Sequence, residues 1–359
     1  MNTTSNFQLT KEQSRCFDLV KGLAILLVIF IHVDIRTKAH TIQYSAFDIY
    51  MQALTRVVVF NAVPMFFFIS GYLFFLKFNG FKKKWASRFR TLVVPYIVWC
   101  LWGFFLPFFF QRVLGLEHLF DGGKLKHIAE FEPMDYIYMF WNIREGAPIL
   151  STLWFLRDLI VMIAITPIFY FLARIIDWLL PLGLLAIYLF VKIPVDGISG
   201  TALFFFGTGS WMAIKHAGGV KFLFQTSPMK IIIPVWIVVF ICVMQAYLIN
   251  VDYYGIILGI FHIVNSLLMF RLIGKLSVKY ELKWLFAMAG ASFFIYLFHE
   301  PWLGYLIGIL FKALHPSGLI LWILPWILVT AAVCYSYFVY LILNKYAPRL
   351  LSFITGSRV

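Results

Sequence analysis

One apolar stretch, RCFDLVKGLAILLVIFIHV, holds three residues of types that do chemistry: Asp18, Lys21 and His32. Lys21 and His32 are eleven residues apart, which is about three helical turns, so they share a face and stand about 16 Å apart along the axis. Asp18 lies one turn below Lys21 on that face. The stripe sets a cation near one surface and, deeper in the segment, an imidazole able to act as base or nucleophile near neutral pH. Ionisable groups inside apolar segments are costly and mark a functional interior. The chain has more of them: Arg56, the adjacent Arg157 and Asp158, and His299 with Glu300. On straight helices these five and His32 fall at comparable depth, which a shared polar cavity would explain. Each also has a structural reading. Lys21 can snorkel and pair with Asp18 at the interface, and His32 can bond a neighbouring helix. Arg157 and Asp158, on different faces, can each tie to another helix, and Glu300 can serve a helix break at Pro301.

A second group lies in KFNGFKKKWASRFR (77–90), whose six basic residues include Lys82, Lys83, Lys84, Arg88 and Arg90, just below Ser70 and Gly71. Lys and Arg pair well with phosphates, so a phosphate-rich cytosolic cofactor would be drawn there; a positive-inside bias with anionic-lipid contact is the alternative. His262 reads as a packing histidine, and His40, His118, His127, His216 and His315 show no metal spacing, so no metal is assigned. Cys16, Cys100, Cys242 and Cys334 are scattered and read as packing residues.

The elements that must position these groups follow from composition. The 359 residues are 62% hydrophobic, 19% aromatic and 13% charged, more apolar surface than one soluble core hides. The net charge of +14 would suggest nucleic acid in a soluble chain; here its distribution sets orientation instead. Ten apolar segments, 17–35, 50–77, 91–112, 150–174, 177–193, 199–215, 231–250, 254–273, 286–311 and 318–344, are of transmembrane length or close to it. An all-α, polytopic bundle of about ten transmembrane helices is therefore expected, rather than a β-barrel. The first segment lacks a small-residue cleavage site and reads as a retained helix. With the N-terminus inside, 20 of the 30 Lys and Arg are cytoplasmic but only 4 of the 16 acids, which predicts both termini in the cytoplasm. The longest external connection, 113–149, carries His118, Asp121, Gly122, Gly123, His127, Glu130, Glu132, Arg144 and Glu145 and is long enough for a lid. No other connection accommodates a soluble domain, so 1–359 reads as a single membrane domain, with 1–16 and 345–359 as cytoplasmic ends.

The segment FDLVKGLAILLVIFIHV, a basic residue followed by ten others and then histidine, resembles the signature of acyltransferase family 3, membrane enzymes that move acyl groups onto extracytoplasmic acceptors. Further matches follow in the family's order: VPMFFFISGYL (63–73), SRFRTLVVPYIVW (87–99), STLWFLRDLIV (151–161), FFFGTGSWMA (204–213) and SFFIYLFHEPWL (292–303). The family usually has Arg where this chain has Lys21, and often a basic residue where it has Thr91. The resemblance implies an O-acetyltransferase of a multi-pass bacterial cell membrane, with acetyl-CoA as cytoplasmic donor and a glycan or lipid-linked sugar as acceptor. On that basis the CoA phosphates would meet Lys21 and the 82–90 cluster, with Asp18 and Ser70 beside them, and the pantetheine arm would run along the first helix to His32. His32 would be general base or transient acyl carrier. Asp158 or Glu300 would orient it, and Arg56, Arg157 or His299 would stabilise the oxyanion. The alternatives from other classes are a transporter or flippase, against which the lack of an inverted repeat counts, and an inactive partner in a glycan-synthesis complex. Membrane lipids are partners in every case.

Overall fold

The computed structural model describes residues 7–117, 127–142 and 146–356; His118, Asp121, Gly122, Gly123, Arg144 and Glu145 of the expected lid lie outside the described residues. Among those described, all regular structure is helical. Helix α1, Lys11–His32, opens on a capping box. Thr10 Oγ1 accepts from the Gln13 N–H, and the Gln13 side chain returns a bond to the Thr10 N–H, both at 3.1 Å. Then come α2 (Ala46–Leu76) and α3 (Phe81–Val113), α4 (Ser151–Ala164) and α5 (Thr166–Ile175), α6 (Leu179–Phe190) and α7 (Gly200–Lys215). The order continues with α8 (Met229–Leu248), α9 (Tyr254–Lys279), α10 (Lys283–Phe298), α11 (Trp302–Leu314) and α12 (Ile320–Tyr346). A short α13 (Pro348–Ile354) closes the chain.

Every apolar segment expected from sequence has a helical counterpart. Among the described residues five helices, α2, α3, α8, α9 and α12, are long and apolar enough to cross a membrane, and the number is seven if each of the bent pairs α4–α5 and α10–α11 is one span. The bends correct the expectation of straight helices. Between α4 and α5 the axis turns by 55°, because Pro167 has no N–H to give the carbonyl four residues back. That carbonyl, Ile163 O, is taken instead by Trp85 Nε1 of α3 at 2.9 Å and by Thr166 Oγ1 at 2.7 Å. Pro301 separates α10 from α11, which diverge by 66°, so His299 and Glu300 lie at a break rather than within a helix.

Helix α1 is central; Leu19, Val20, Ala24, Ile25 and Ile29 are wholly buried. Small residues allow close crossings, as membrane helices need in the absence of a hydrophobic drive between them. A Cβ on Gly22 would lie 2.2 Å from Leu285 O of α10. At the crossing of α2 and α7, Cβ atoms on Gly71 and Gly209 would lie 2.1 Å from Phe206 O and 2.2 Å from Phe68 O. The apolar window of α2 is 72% buried inside the protein, against 17% for α8 and 22% for α12, which makes the last two peripheral. Ile237, Val238, Ile323, Ile327 and Phe338 face outward on them, as a lipid-facing surface requires. Cys16 and Cys100 are buried packing residues, whereas Cys242 and Cys334 are exposed on these outer helices.

Candidate active site

An elongated cavity of about 420 Å³ lies among α1, α2, α3, α4 and α10. Of the residues singled out from sequence, Lys21, His32, Ser70 and Arg88 all line it. Helix α1 supplies both ends: Lys21 marks one and His32 the other, eleven residues or about 16 Å along. Ser70 from the last third of α2 and Arg88 from early α3 belong to the Lys21 end, near the turn that joins those helices. The wall between is apolar, with Val28, Ile69, Leu73, Phe155 and Phe293, and Gly290 of α10 leaves it open, with no atom within 4 Å of where its Cβ would stand.

The two cations differ. Lys21 is paired with Asp18 at 2.9 Å, as the stripe on α1 implies. Arg88 is half-buried and has no carboxylate partner among the described residues, and a desolvated, unpaired guanidinium calls for an anion. Lys82, Lys83 and Arg90 are exposed on the surface; Lys84 turns back over the Phe74 ring, 5.7 Å from its centroid. Of the basic cluster, Arg88 alone joins the cavity lining.

Around His32 the sequence foresaw six polar groups at one level, and only His32 lines the cavity. Arg157 and Asp158 are buried and pair with each other at 3.0 Å; Asp158 is also hydrogen-bonded by Ser199 at the start of α7, and Arg157 donates to Gly146 O and lies over the Trp141 ring. Arg56 is half-exposed and bonds Asp34 at 3.2 Å. Asp34, in the connection past the end of α1, also takes Arg36 at 2.7 Å. Burial pushes the Asp34 carboxyl up, but the Arg36 hydrogen bonds and the charges of Arg36 and Arg56 outweigh this and hold it below its ordinary value. Glu300 sits beside the Gly304 backbone N–H. His299 is the ring next to His32, with centroids 5.2 Å apart and planes at 54°. It is fully buried, and its Nδ1 lies 3.0 Å from Ile295 O.

Sequence reasoning passed over the other polar groups at the His32 end. Thr152, Ser292 and Tyr296 line the cavity there, and the Tyr296 hydroxyl donates to Thr152 O at 2.7 Å, tying α10 to the start of α4. Ser292 and Tyr296 are four apart in an otherwise apolar run, a spacing that puts both on one helix face. His262 is buried, bonded through Nδ1 to the Tyr188 hydroxyl at 3.2 Å and stacked on Phe60. Among the described residues no three His, Cys, Asp or Glu side chains gather as metal ligands.

A chain of apolar helices around an internal cavity, cationic at one end and bearing a histidine at the other, fits membrane group transfer. The sequence pattern of the acyltransferase domain matches residues 14–344, and the chain belongs to acyltransferase family 3. It is similar to the succinoglycan biosynthesis protein ExoH of Rhizobium meliloti (strain 1021), with 26% identity over 215 residues. The match covers 57% of this chain and 55% of that protein, so the chain spans about half the length of the relative it matches. No solved structure matches it.

Proposed function

We propose that this acyltransferase carries an acetyl group from cytoplasmic acetyl-CoA to a hydroxyl of an extracytoplasmic polysaccharide or lipid-linked sugar, within a bacterial cell membrane. The observation that carries the reading is the cavity that joins His32 to Arg88, which has no carboxylate partner among the described residues. A phosphate on Arg88 and Lys21 leaves room for an extended thioester arm to run about 16 Å along α1. The apolar wall suits such an arm, and Ser70 offers it a hydroxyl. His32 takes the proton of the acceptor hydroxyl as its oxygen bonds the acyl carbon. The C–S bond then breaks, and His32 returns the proton to the departing thiolate, which leaves as the thiol. The Thr152 hydroxyl, buried and without a hydrogen-bond partner among the described residues, stands at the end where the oxyanion develops, and the Tyr296 hydroxyl holds the Thr152 backbone in place. The name of ExoH supports a polysaccharide acceptor. The ten helical counterparts, with the bias of Lys and Arg between alternate loops, support ten crossings by one membrane domain with both ends in the cytoplasm.

Mass spectrometry of envelope polysaccharides from cells with and without this protein tests the reading. Ester-linked acetyl groups that vanish with the protein and return with it are expected. An unchanged ester content, or loss of the polysaccharide itself from the outer face, contradicts it; the second result is what a flippase gives.

A further inference from the structure

We infer that His299 is a positioning residue for His32, holding it through the unprotonated Nε2 of its ring. The inference rests on His32 being the base. A backbone carbonyl can only accept, so the 3.0 Å contact of His299 Nδ1 with Ile295 O fixes the proton on Nδ1 and leaves Nε2 with a lone pair. Nε2 is buried and has no hydrogen-bond partner among the described residues, a costly state for a polar atom that needs an explanation. The neighbour that supplies one is the His32 ring, 5.2 Å away between centroids. His32 lines the cavity and His299 does not, so His299 stands behind His32 as seen from the lumen. A modest turn of the His32 ring gives Nε2 its N–H donor and presents the other His32 nitrogen to the lumen as the base. When His32 holds the acceptor's proton, the imidazolium keeps one N–H on His299 and returns the other proton to the leaving thiolate. His299 stays neutral throughout.

Two features pin the His299 backbone for this task. The Tyr335 hydroxyl of α12 donates to His299 O at 2.6 Å, and the His299 N–H donates to Ile295 O at 3.0 Å. The same tautomer removes His299 as an oxyanion donor, because Nε2 has no proton to give. The carboxylates considered for the orienting role are engaged elsewhere, Asp158 by Arg157 and Glu300 beside Gly304. An imidazole therefore does here what a carboxylate does in many hydrolase triads.

The test compares His299→Phe, which keeps the ring volume without an acceptor, with His299→Gln, whose amide oxygen restores one near Nε2. Both are purified in nanodiscs, with His32→Ala alongside. His299→Phe is expected to lower kcat about 100-fold, with the KM for acetyl-CoA within about twofold of wild type, and His299→Gln to recover at least about tenfold of the loss. If His299→Phe does not purify as a folded protein, His299→Asn, which keeps the Nδ1-side donor and lacks the Nε2-side acceptor, takes its place. A near-wild-type kcat in the acceptor-less variant, or equal inactivity of the acceptor-less and Gln variants, overturns the inference. An active His32→Ala would instead overturn the proposed function on which it rests.

Discussion

Replacing Arg88 with Met removes the one cation that lines the cavity without a carboxylate partner among the described residues. A hydrogen bond to a charged group contributes about 1.5–3 kcal/mol net. Arg88 is only half-buried and stands at the Lys21 end of the cavity, so the lower part of that range applies. About 2 kcal/mol corresponds to roughly a 30-fold weaker donor, since each 1.4 kcal/mol is tenfold. Arg88→Lys keeps the charge but not the bidentate fork, and is expected to fall between Met and wild type. The same calculation gives less for Lys21, whose charge is already shared with Asp18 at 2.9 Å. The assay is initial acetyl-transfer rate against acetyl-CoA concentration in nanodiscs at two ionic strengths. A KM raised about 30-fold with kcat unchanged marks lost binding rather than lost chemistry. Raising the salt should increase the wild-type KM and affect the Met variant less. A Met variant with KM within twofold of wild type would refute the assignment of the donor phosphates to this end.

Three further outcomes follow from the packing. Gly290→Leu projects a branched chain into open lumen, so thermal stability in detergent should be unchanged while transfer falls at least tenfold through blockage of the arm; full activity with unchanged stability would show that the arm runs elsewhere. Gly71→Ala forces a methyl to within 2.1 Å of Phe206 O, and the helices must part, with an expected cost of about 1–3 kcal/mol read as a lower unfolding temperature. Asp34 has a native pKa below its unfolded value, so its contribution to stability is present above about pH 4 and is lost as pH falls through the native value. Unfolding temperature measured from pH 6 down to pH 3 should therefore drop more steeply in wild type than in Asp34→Asn; parallel curves would contradict the Arg36–Asp34–Arg56 linkage.

Much of this architecture was legible in the sequence, for a physical reason. Lipid demands long apolar segments, and their ends are marked by polar breaks, so ten segments could be bounded and each has a helix. The Lys21–His32 stripe was legible because both residues lie on one helix, where spacing alone fixes geometry. Ser70 and Arg88 were reached because they flank one short turn. Depth was harder to read across helices. Arg56, Arg157, Asp158, His299 and Glu300 were grouped by assuming straight axes, but Pro167 and Pro301 bend two of the helices, and helix rotation about its own axis leaves no trace in one sequence. Arg157 and Asp158 do not line the cavity; they pair with each other and reach Gly146 and Ser199. The neighbour of His32 is set by the parallel packing of α10 on α1, through Gly22 at one end and the two imidazoles at the other. That contact spans more than 260 residues of sequence, which no local pattern encodes.

The most direct measurement is acetyl transfer from labelled acetyl-CoA to envelope polysaccharide by the purified protein in nanodiscs, wild type beside His32→Ala, with acetyl-CoA binding followed in parallel. Wild type should yield ester-linked label, and His32→Ala should fold, bind acetyl-CoA with similar affinity and lose at least about a hundredfold in rate, as expected for a general base. Equal product from His32→Ala, or no ester-linked product from a wild-type protein that binds acetyl-CoA, would contradict the account.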